Sequence, residues 1–225
     1  MNQCKGFIDS VYHGSAVDGK GLRIVVFFSG CNLRCPFCHN PETLYKKGRE
    51  VSVNELVKDV VRYAPYVKNG GVTLSGGEPF LQRDFAISLI KKLNRAGLKV
   101  AIETNGSIAD KDLIRACEYL IVDVKNQEKY DAKVYETLLS VAKECKKKVE
   151  LTCVIVPSVN DTKEKVEQLK SLKNKFLNTV TGIRLLPYHD ACVEKYQKLG
   201  KEFPYKGKPT PTREDMERVR SYINE

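Results

Sequence analysis

The sequence lacks any apolar run long enough to cross a membrane, although 42% of its 225 residues are hydrophobic. A spanning helix needs about 18 consecutive apolar residues, so we expect no membrane-spanning segment. The N-terminus also lacks an export signal, which would show a positive region, an apolar run and a small-residue cleavage site. We therefore expect a cytoplasmic protein with a single domain over residues 1–225, a common size for one core.

Base-stacking aromatic motifs are also absent, although the formal net charge is +10. A basic surface attracts nucleic acid, an acidic electron carrier or an acidic protein, and charge alone does not choose among them. Nucleic-acid recognition usually combines basic residues with aromatic side chains that stack on bases. The densest basic cluster, Lys143 with Lys146–Lys148, has none, so we predict no nucleic-acid partner and interpret the cluster as a solvated helix end.

A second pair of closely spaced cysteines is missing as well. Of the eight cysteines, Cys31, Cys35 and Cys38 form a C-x3-C-x2-C group and the others are scattered. Without an export signal, these side chains are expected to be thiols or metal ligands rather than disulfides. The scattered cysteines are interpreted as small buried hydrophobic residues, and they are Cys4, Cys117, Cys145, Cys153 and Cys192.

Apolar runs alternate with helical patterns along the chain. Arg23–Phe28 is rich in β-branched and aromatic residues and predicts a strand buried on both faces. Ser52 and Glu55 form a capping box that predicts the first helix, and Thr212 is the expected cap of the last. Six alternating strands indicate an α/β fold with a parallel sheet, a partial (β/α)6 barrel. The other predicted strands are Gly71–Ser75, Leu98–Glu103, Tyr119–Asp123, Val149–Val156 and Gly182–Leu186.

Polar and glycine-rich segments follow the C-terminal ends of the predicted strands. Loops at these ends converge on one face of a parallel sheet, and ligands bind there. We therefore expect the functional site to be built from these segments. They are Gly30–Asn40, Gly76–Glu78, Glu103–Gly106, Asp123–Lys125 and Pro187–His189.

Three kinds of metal site compete for the cysteine group. Structural zinc prefers four ligands, commonly as two C-x2-C pairs, and the sequence has no second pair. Cys35 to His39 matches the C-x2-C-H pattern of covalent haem attachment, but that site leaves Cys31 unused and needs export chemistry. An iron–sulfur cluster held by three thiolates uses the whole group and leaves one iron open, as catalytic metal sites do.

Gly30–Asn40 resembles the signature of the radical S-adenosylmethionine superfamily. From about Phe7 to Ile223, the chain is similar to the glycyl radical enzyme activating enzymes of that superfamily. The similarity is carried by an ordered series of motifs. They are Val17–Gly19, Cys38–Pro41, Leu74–Glu78, Thr104–Gly106, Asp123-x-Lys125, Val156-Pro157 and Leu185–His189.

The resemblance implies that Cys31, Cys35 and Cys38 bind one [4Fe–4S] cluster, whose open iron binds S-adenosylmethionine. An electron from the cluster splits this cofactor into methionine and a 5′-deoxyadenosyl radical, which takes a hydrogen atom from a glycine of a separate glycyl radical enzyme. A flavodoxin or ferredoxin is the implied electron donor, and we expect the free protein to be a monomer. No cysteine lies between Asn40 and Gly71, so no ferredoxin-like insert with further clusters is expected.

The resemblance also implies roles for groups around the cofactor. Gly76, Gly77 and Glu78 are placed at the methionine amino group, where glycine allows close backbone approach; a tight turn is the alternative. Phe37 is placed at the adenine, although an aromatic anchor of a buried loop would have the same sequence. His189 is placed near the cofactor, and a structural hydrogen-bonding role is its alternative.

Charged residues complete the implied site. Glu103, Thr104 and Asp123 are placed at a monovalent cation, Na⁺ or K⁺, beside the methionine carboxylate. Asp18 is an implied catalytic residue on a loop that closes on the substrate glycine. Lys125 is implied at the active site, both catalytic and cofactor-binding, and an ordinary strand-end salt bridge with Asp123 is the alternative.

Three positions depart from the family pattern. Thr152 stands five residues before Pro157, where the family usually has an active-site arginine, and we expect Arg184 on the neighbouring strand to replace it. Lys20 stands where proline is common, so we expect a less rigid loop or one that recognises a different partner. Glu103 replaces aspartate and moves the charge by one methylene group.

Two other functions stay open on the residues alone. One is a radical S-adenosylmethionine enzyme for a small molecule, such as a deazapurine-forming synthase. The other is an iron–sulfur or zinc protein that binds a partner or passes electrons without catalysis. The Val17–Gly19 loop and the Leu185–His189 segment favour the activase. Whether its partner is pyruvate formate-lyase or another glycyl radical enzyme is not decided by the sequence.

Overall fold

The protein is described from a computed structural model that covers residues 4–125 and 132–224. Its strands are β1 (Lys5–Ser15), β2 (Arg23–Phe28), β3 (Arg49–Ser52), β4 (Gly71–Gly76), β5 (Val100–Thr104), β6 (Tyr119–Asp123), β7 (Lys148–Ile155) and β8 (Val180–Pro187). Its helices are α1 (Val53–Val61), α2 (Arg83–Arg95), α3 (Lys111–Ala116), α4 (Ala132–Glu144), α5 (Lys163–Lys175), α6 (Val193–Lys198) and α7 (Arg213–Asn224).

The expected α/β class with a mostly parallel sheet is confirmed. The strand order is β3-β1-β2-β4-β5-β6-β7-β8, and β2–β4, β4–β5 and β7–β8 are parallel pairs. All six expected strands are present within about two residues of their predicted ends. The sequence did not predict β1 and β3, which pair antiparallel with each other. β1 contains Gly6, Asp9 and Gly14, residue types depleted in strands, so its conformation depends on its partners.

The chain divides into two compact units, and the single domain over residues 1–225 stays a prediction. The first comprises Met1–Arg34, Glu42–Thr104 and Asp110–Ile121. Its centre is β2, where Ile24, Val25 and Val26 are fully buried, as the apolar run predicts. The predicted capping box is confirmed, because Ser52 Oγ accepts from Glu55 N at 3.2 Å.

The second unit comprises Cys35–Pro41, Asn105–Ala109 and Val122–Glu225. It holds β7, β8 and the helices from α4 to α7. The expected cap of the last helix is confirmed, because Thr212 Oγ1 accepts from Asp215 N at 3.1 Å. An apolar cluster rich in aromatic residues forms part of its core, and its buried members are Phe37, Val156, Tyr188, Cys192, Tyr196 and Phe203.

In the part of the chain that the structure describes, no helix combines the length and the apolar character needed to cross a bilayer. Of the scattered cysteines, Cys117, Cys153 and Cys192 are buried as expected, whereas Cys4 and Cys145 are half-exposed. Cys145 lies in the turn after α4 rather than on its buried face, which explains its exposure.

Candidate functional site

The loop that carries the first cysteine of the group leaves β2 through a glycine. Gly30 has a φ of +104°, which favours glycine. Its N–H donates to Thr43 O at 2.8 Å, and the N–H of Cys31 donates to Leu44 O at 3.2 Å. The Cys31 Sγ accepts from Leu33 N at 3.4 Å. The backbone therefore fixes the position of this thiol, and amide donation to sulfur is one of the features that tune iron–sulfur sites.

The glycine turn after β4 packs directly against the start of this loop. Gly77 N donates to Phe28 O, and Glu78 N donates to Gly30 O, both at 2.8 Å. A Cβ atom on Gly77 would lie 2.1 Å from Gly30 O, and Gly76 has a φ of +100°. Backbone packing thus accounts for both glycines, and their contact with a methionine amino group stays a prediction.

The side chain of Glu78 is fully buried and held inside the first unit. Its Oε1 accepts from Phe80 N at 3.1 Å, which caps the short turn Pro79–Gln82. The same oxygen accepts from Thr104 Oγ1 at 2.9 Å, and Thr104 is itself buried. Glu78 therefore joins the ends of β4 and β5 and fixes the glycine turn from behind.

Replacing Thr104 tests this support. Thr104→Val removes the hydroxyl that donates to a buried carboxylate, so we expect the free energy of unfolding of the apoprotein to fall by about 1–3 kcal/mol. Thr104→Ser keeps the donor and is the matched control. Urea-induced unfolding followed by circular dichroism measures both variants. Wild-type stability in Thr104→Val, with a loss only in Thr104→Ser, would show that methyl packing, and not the hydrogen bond, supports Glu78.

One face of β4 collects polar groups of the first unit. Ser75 Oγ donates to Glu103 Oε2 at 2.5 Å, and Thr73 Oγ1 donates to the carbonyl of Asp18 at 2.6 Å. Thr73 and Ser75 are two residues apart, so their side chains point to the same face, roughly 7 Å apart along the strand. The carboxylate of Asp18 accepts from Ser15 Oγ. The predicted residues Asp18 and Glu103 are therefore brought to one face of the first unit.

The loop around Lys20 is held by groups that the sequence did not single out. Lys20 N donates to Tyr119 Oη at 2.9 Å, and Arg23 Cζ lies 5.5 Å from the centroid of the Tyr119 ring. Arg23 is buried, and its Nε donates to Thr73 Oγ1 at 2.6 Å. A proline at position 20 would have no N–H to donate. Lys20 therefore lacks the rigid proline ring, but its N–H forms a hydrogen bond that proline could not form. Only the tertiary structure reveals this hydrogen bond.

In the second unit, Asp123 and Lys125 form an ion pair after β6. Lys125 N donates to Tyr135 Oη at 2.9 Å, and Lys125 Nζ lies 5.5 Å from the centroid of the Phe37 ring. Burial lowers the pKa of Lys125, but the charges of Asp123 and then Cys35 outweigh burial and raise this pKa above its ordinary value. The ammonium group thus stays charged, and the strand-end salt bridge forms without a bound ligand.

Two polar atoms beside this ion pair are buried and lack a hydrogen-bond partner among the described residues. They are Asp123 Oδ1 and Thr152 Oγ1. Val124 N donates to Thr152 O at 2.8 Å, so both lie where β6 ends against β7. A buried acceptor without a donor costs free energy. The pair therefore suits a ligand that brings an N–H, an O–H or a cation, and S-adenosylmethionine fits because it carries an amino group and two ribose hydroxyls.

Arg184 lies directly across from Thr152 in the pairing of β7 with β8. Its Nη2 is 3.2 Å from Glu150 Oε2. Glu150, Thr152 and Arg184 share one face of this strand pair, because side chains alternate along each strand and the register aligns the two. The structure thus places a guanidinium on the strand next to the position where the family usually has its arginine.

Phe37 and the two histidines define the surroundings of the later cysteines. Phe37 is 5% exposed and belongs to the aromatic core of the second unit, so it anchors the loop. Tyr196 Oη donates to Cys38 O at 3.2 Å. His39 Nε2 donates to the carbonyl of the exposed His189 at 2.7 Å, with ring centroids 4.1 Å apart. The sequence named His39 only within the C-x2-C-H pattern and the Cys38–Pro41 motif, and did not predict it as a site residue.

The three predicted metal ligands are all half-buried. Over residues 4–125 and 132–224, no three cysteine, histidine or acidic side chains stand close enough to hold a metal ion. The donor set itself, three thiols within eight residues, suits the soft ligand field of an iron–sulfur cluster. Ligation by Cys31, Cys35 and Cys38 stays a prediction.

Comparison with known proteins adds independent information. Residues 17–144 match the family described as a 4Fe-4S single cluster domain. The chain is 33% identical to the pyruvate formate-lyase-activating enzyme of Clostridium pasteurianum over 233 residues, which covers 98% of each chain. The fold resembles QueE from Escherichia coli, with a TM-score of 0.60, 16% identity and coverage of 88% and 92%. It also resembles a radical SAM methyltransferase from Sphaerobacter thermophilus, with a TM-score of 0.62, 16% identity and coverage of 90% and 63%.

Proposed function

Since this chain belongs to the family of the pyruvate formate-lyase-activating enzymes, we propose that it is a radical S-adenosylmethionine activase. Its reaction cleaves S-adenosylmethionine reductively and removes a hydrogen atom from a glycine of a partner glycyl radical enzyme. The observation that carries this proposal is similarity over 98% of the chain, since that span includes both the cysteine group and the Val17–Gly19 loop. We treat residues 1–225 as one radical S-adenosylmethionine domain.

The cofactors of this reaction are one [4Fe–4S] cluster, held by Cys31, Cys35 and Cys38, and S-adenosylmethionine. When bound and reduced, the cluster supplies the single electron that cleaves the sulfonium, and the adenosyl fragment takes the hydrogen atom. The N–H of Leu33 donates to the thiol of Cys31, and the hydroxyl of Tyr196 holds the backbone carbonyl of Cys38. Cys35 packs against the aromatic core of the second unit, which places apolar side chains beside this thiol.

Around S-adenosylmethionine, the chain supplies fixed polar groups. Asp123 Oδ1 is available to accept from the amino group or a hydroxyl of the ligand, while Lys125 holds the other carboxylate oxygen of Asp123. Glu78 acts as a positioning residue for the glycine turn, since Thr104 and a backbone N–H take up its carboxylate. The Na⁺ or K⁺ ion at Glu103, Thr104 and Asp123, and the catalytic part of Asp18, stay predictions.

Arg184 is proposed to meet the methionine carboxylate in place of the arginine missing at Thr152. We expect Arg184→Ala to weaken S-adenosylmethionine binding about tenfold or more, because hydrogen bonds between charged groups contribute about 1.5–3 kcal/mol. Isothermal titration of the reconstituted protein measures the Kd.

The matched control for Arg184 is Glu150→Gln, which removes the carboxylate that Arg184 contacts at 3.2 Å and leaves the guanidinium in place. We expect this variant to bind S-adenosylmethionine at least as tightly as the wild type. Unchanged affinity and full activity of Arg184→Ala would contradict the assignment.

The proposed function also suggests which proteins this enzyme binds and where in the cell it acts. The glycyl radical enzyme is the protein substrate, with pyruvate formate-lyase as the first to test, given the name of the relative. A flavodoxin or ferredoxin is the proposed electron donor, the free enzyme is proposed to be monomeric, and its proposed location is the cytoplasm.

The proposal is tested by anaerobic reconstitution, reduction with dithionite and addition of S-adenosylmethionine. We expect about four irons per chain, as one [4Fe–4S] cluster requires, release of 5′-deoxyadenosine, and a glycyl radical signal in electron paramagnetic resonance once pyruvate formate-lyase is added. Absence of cleavage would contradict enzyme function of this class. Cleavage without a radical on any glycyl radical enzyme would favour the small-molecule alternative.

A further inference from the structure

We propose that Arg34, Tyr45, Lys46 and Lys47 form the docking surface for an acidic electron-carrier protein. We name these residues the basic patch. The inference rests on the proposed function, because only an enzyme whose cluster must be reduced needs such a carrier. It goes further by giving the carrier a place on this chain and a charge that the carrier must have.

The basic patch is built around one exposed aromatic ring in the first unit. Tyr45 is 41% exposed, with Arg34 Cζ 4.9 Å and Lys47 Nζ 5.9 Å from its ring centroid. Lys46 Nζ lies 4.6 Å from the centroid of the Phe7 ring. Cation–π contacts order these long side chains before any partner arrives, which lowers the entropy that binding must otherwise remove.

The basic patch keeps an excess of positive charge. Neither Lys46 nor Lys47 forms an ion pair with a carboxylate in the part of the chain that the structure describes, and their contacts are with aromatic rings. The exposed carboxylates of β3 and α1 are already paired, Glu50 with Lys5 at 2.9 Å and Glu55 with Arg49 at 2.6 Å. Glu42 is half-buried, and even with its charge included the patch remains positive.

Two short hydrogen-bond paths connect the basic patch to a proposed cluster ligand. Arg34 Nη1 donates to Cys31 O at 2.7 Å. The N–H of Cys31 donates to the carbonyl of Leu44 at 3.2 Å, and Leu44 is covalently joined to Tyr45. A carrier seated on the patch therefore contacts residues that touch the Cys31 backbone directly, which is where an electron has to enter.

An acidic protein carrier fits this chemistry better than other partners. Tyrosine and arginine are the residue types enriched where partners contact most strongly, and charge complementarity raises association rates for the brief encounters typical of electron transfer. Nucleic acid binding usually uses several aromatic residues that stack successive bases, and the patch offers a single exposed ring that already carries two cations.

The test reverses the two unpaired charges in Lys46→Glu/Lys47→Glu. With reduced flavodoxin as the donor, we expect cleavage of S-adenosylmethionine at low salt to fall about tenfold or more, because electrostatic steering contributes at least that factor to association. We also expect a matching loss of flavodoxin affinity, measured with the reconstituted enzyme by thermophoresis. With dithionite, which needs no docking surface, the rate of cleavage should stay within about twofold of wild type.

The matched control is Lys91→Glu/Arg95→Glu, which makes the same charge change on the exposed face of α2 in the same unit. An equal loss in both double variants would overturn the proposal, since net charge alone would explain it. Normal flavodoxin-driven cleavage in Lys46→Glu/Lys47→Glu would overturn it as well. Normal cleavage of S-adenosylmethionine by this variant, together with loss of the glycyl radical signal, would also overturn the proposal. That result would assign the patch to binding of the protein substrate. Failure of the wild type to cleave with dithionite would instead overturn the proposed function itself.

Discussion

Cys35→Ser is expected to abolish cleavage of S-adenosylmethionine and to leave the reconstituted protein with little bound iron. Even partners that only contact a metal ligand change affinity or activity by about 10–100-fold when removed, so loss of a thiolate ligand should cost at least about 100-fold. Serine keeps the size and removes the soft donor that iron–sulfur clusters require. Cys31→Ser and Cys38→Ser should behave in the same way.

The matched control is Cys145→Ser, because Cys145 is also half-exposed but lies outside the C-x3-C-x2-C group. Iron content, the absorbance of the cluster and the release of 5′-deoxyadenosine should all remain at the wild-type level in this variant. Retention of iron and turnover by any one of the three group variants would remove that cysteine from the ligand set. Loss of both in Cys145→Ser would show that the assay reports general thiol damage.

Gly77→Ala is expected to have the second largest effect. The new Cβ atom would lie 2.1 Å from Gly30 O and 2.9 Å from Thr43 O, and both contacts are with backbone, which cannot rotate away. Overpacking of this kind costs about 1–3 kcal/mol. The glycine turn and the start of the cysteine loop must move apart, and a shift of about 1 Å at a reaction centre can cost about 100-fold in rate.

Gly14→Ala is the matched control in the same unit. An added Cβ on Gly14 meets nothing within 4 Å, so stability and activity should change little. Urea unfolding of the apoprotein and release of 5′-deoxyadenosine by the reconstituted enzyme separate the two effects of Gly77→Ala. A variant with wild-type unfolding and wild-type turnover would contradict the close packing of Gly77 against Gly30.

The glycine turn is a motif for which the sequence allows two different roles. The sequence offered a ligand-binding role and a tight turn for Gly76–Glu78. In the structure, Gly77 N and Glu78 N are already bound to backbone carbonyls, and the Glu78 carboxylate is held by Thr104. The N–H groups of Gly77 and Glu78 and the Glu78 carboxylate therefore position this turn, so a ligand that binds here has to meet its carbonyl groups.

Sequence alone determined the fold class, six of the strands and the cysteine group, and its resemblance to a family implied the cofactor. Local patterns carry this information: β-branched runs such as Arg23–Phe28 form buried strands wherever they lie, Ser52 and Thr212 cap helices through bonds three residues away, and three thiols on one short loop define a donor set. Each of these patterns depends on residues that are close in the chain, so the sequence is sufficient to recognise the pattern.

Only the tertiary structure decided which residues distant in the sequence contact one another. β1 needed β2 and β3 as partners, the N–H of Lys20 found a hydroxyl on Tyr119, and Arg184 came into register with Thr152. The basic patch likewise joins Arg34 to Tyr45 across a loop. These contacts depend on the path of the backbone between the residues, and no local spacing encodes that path.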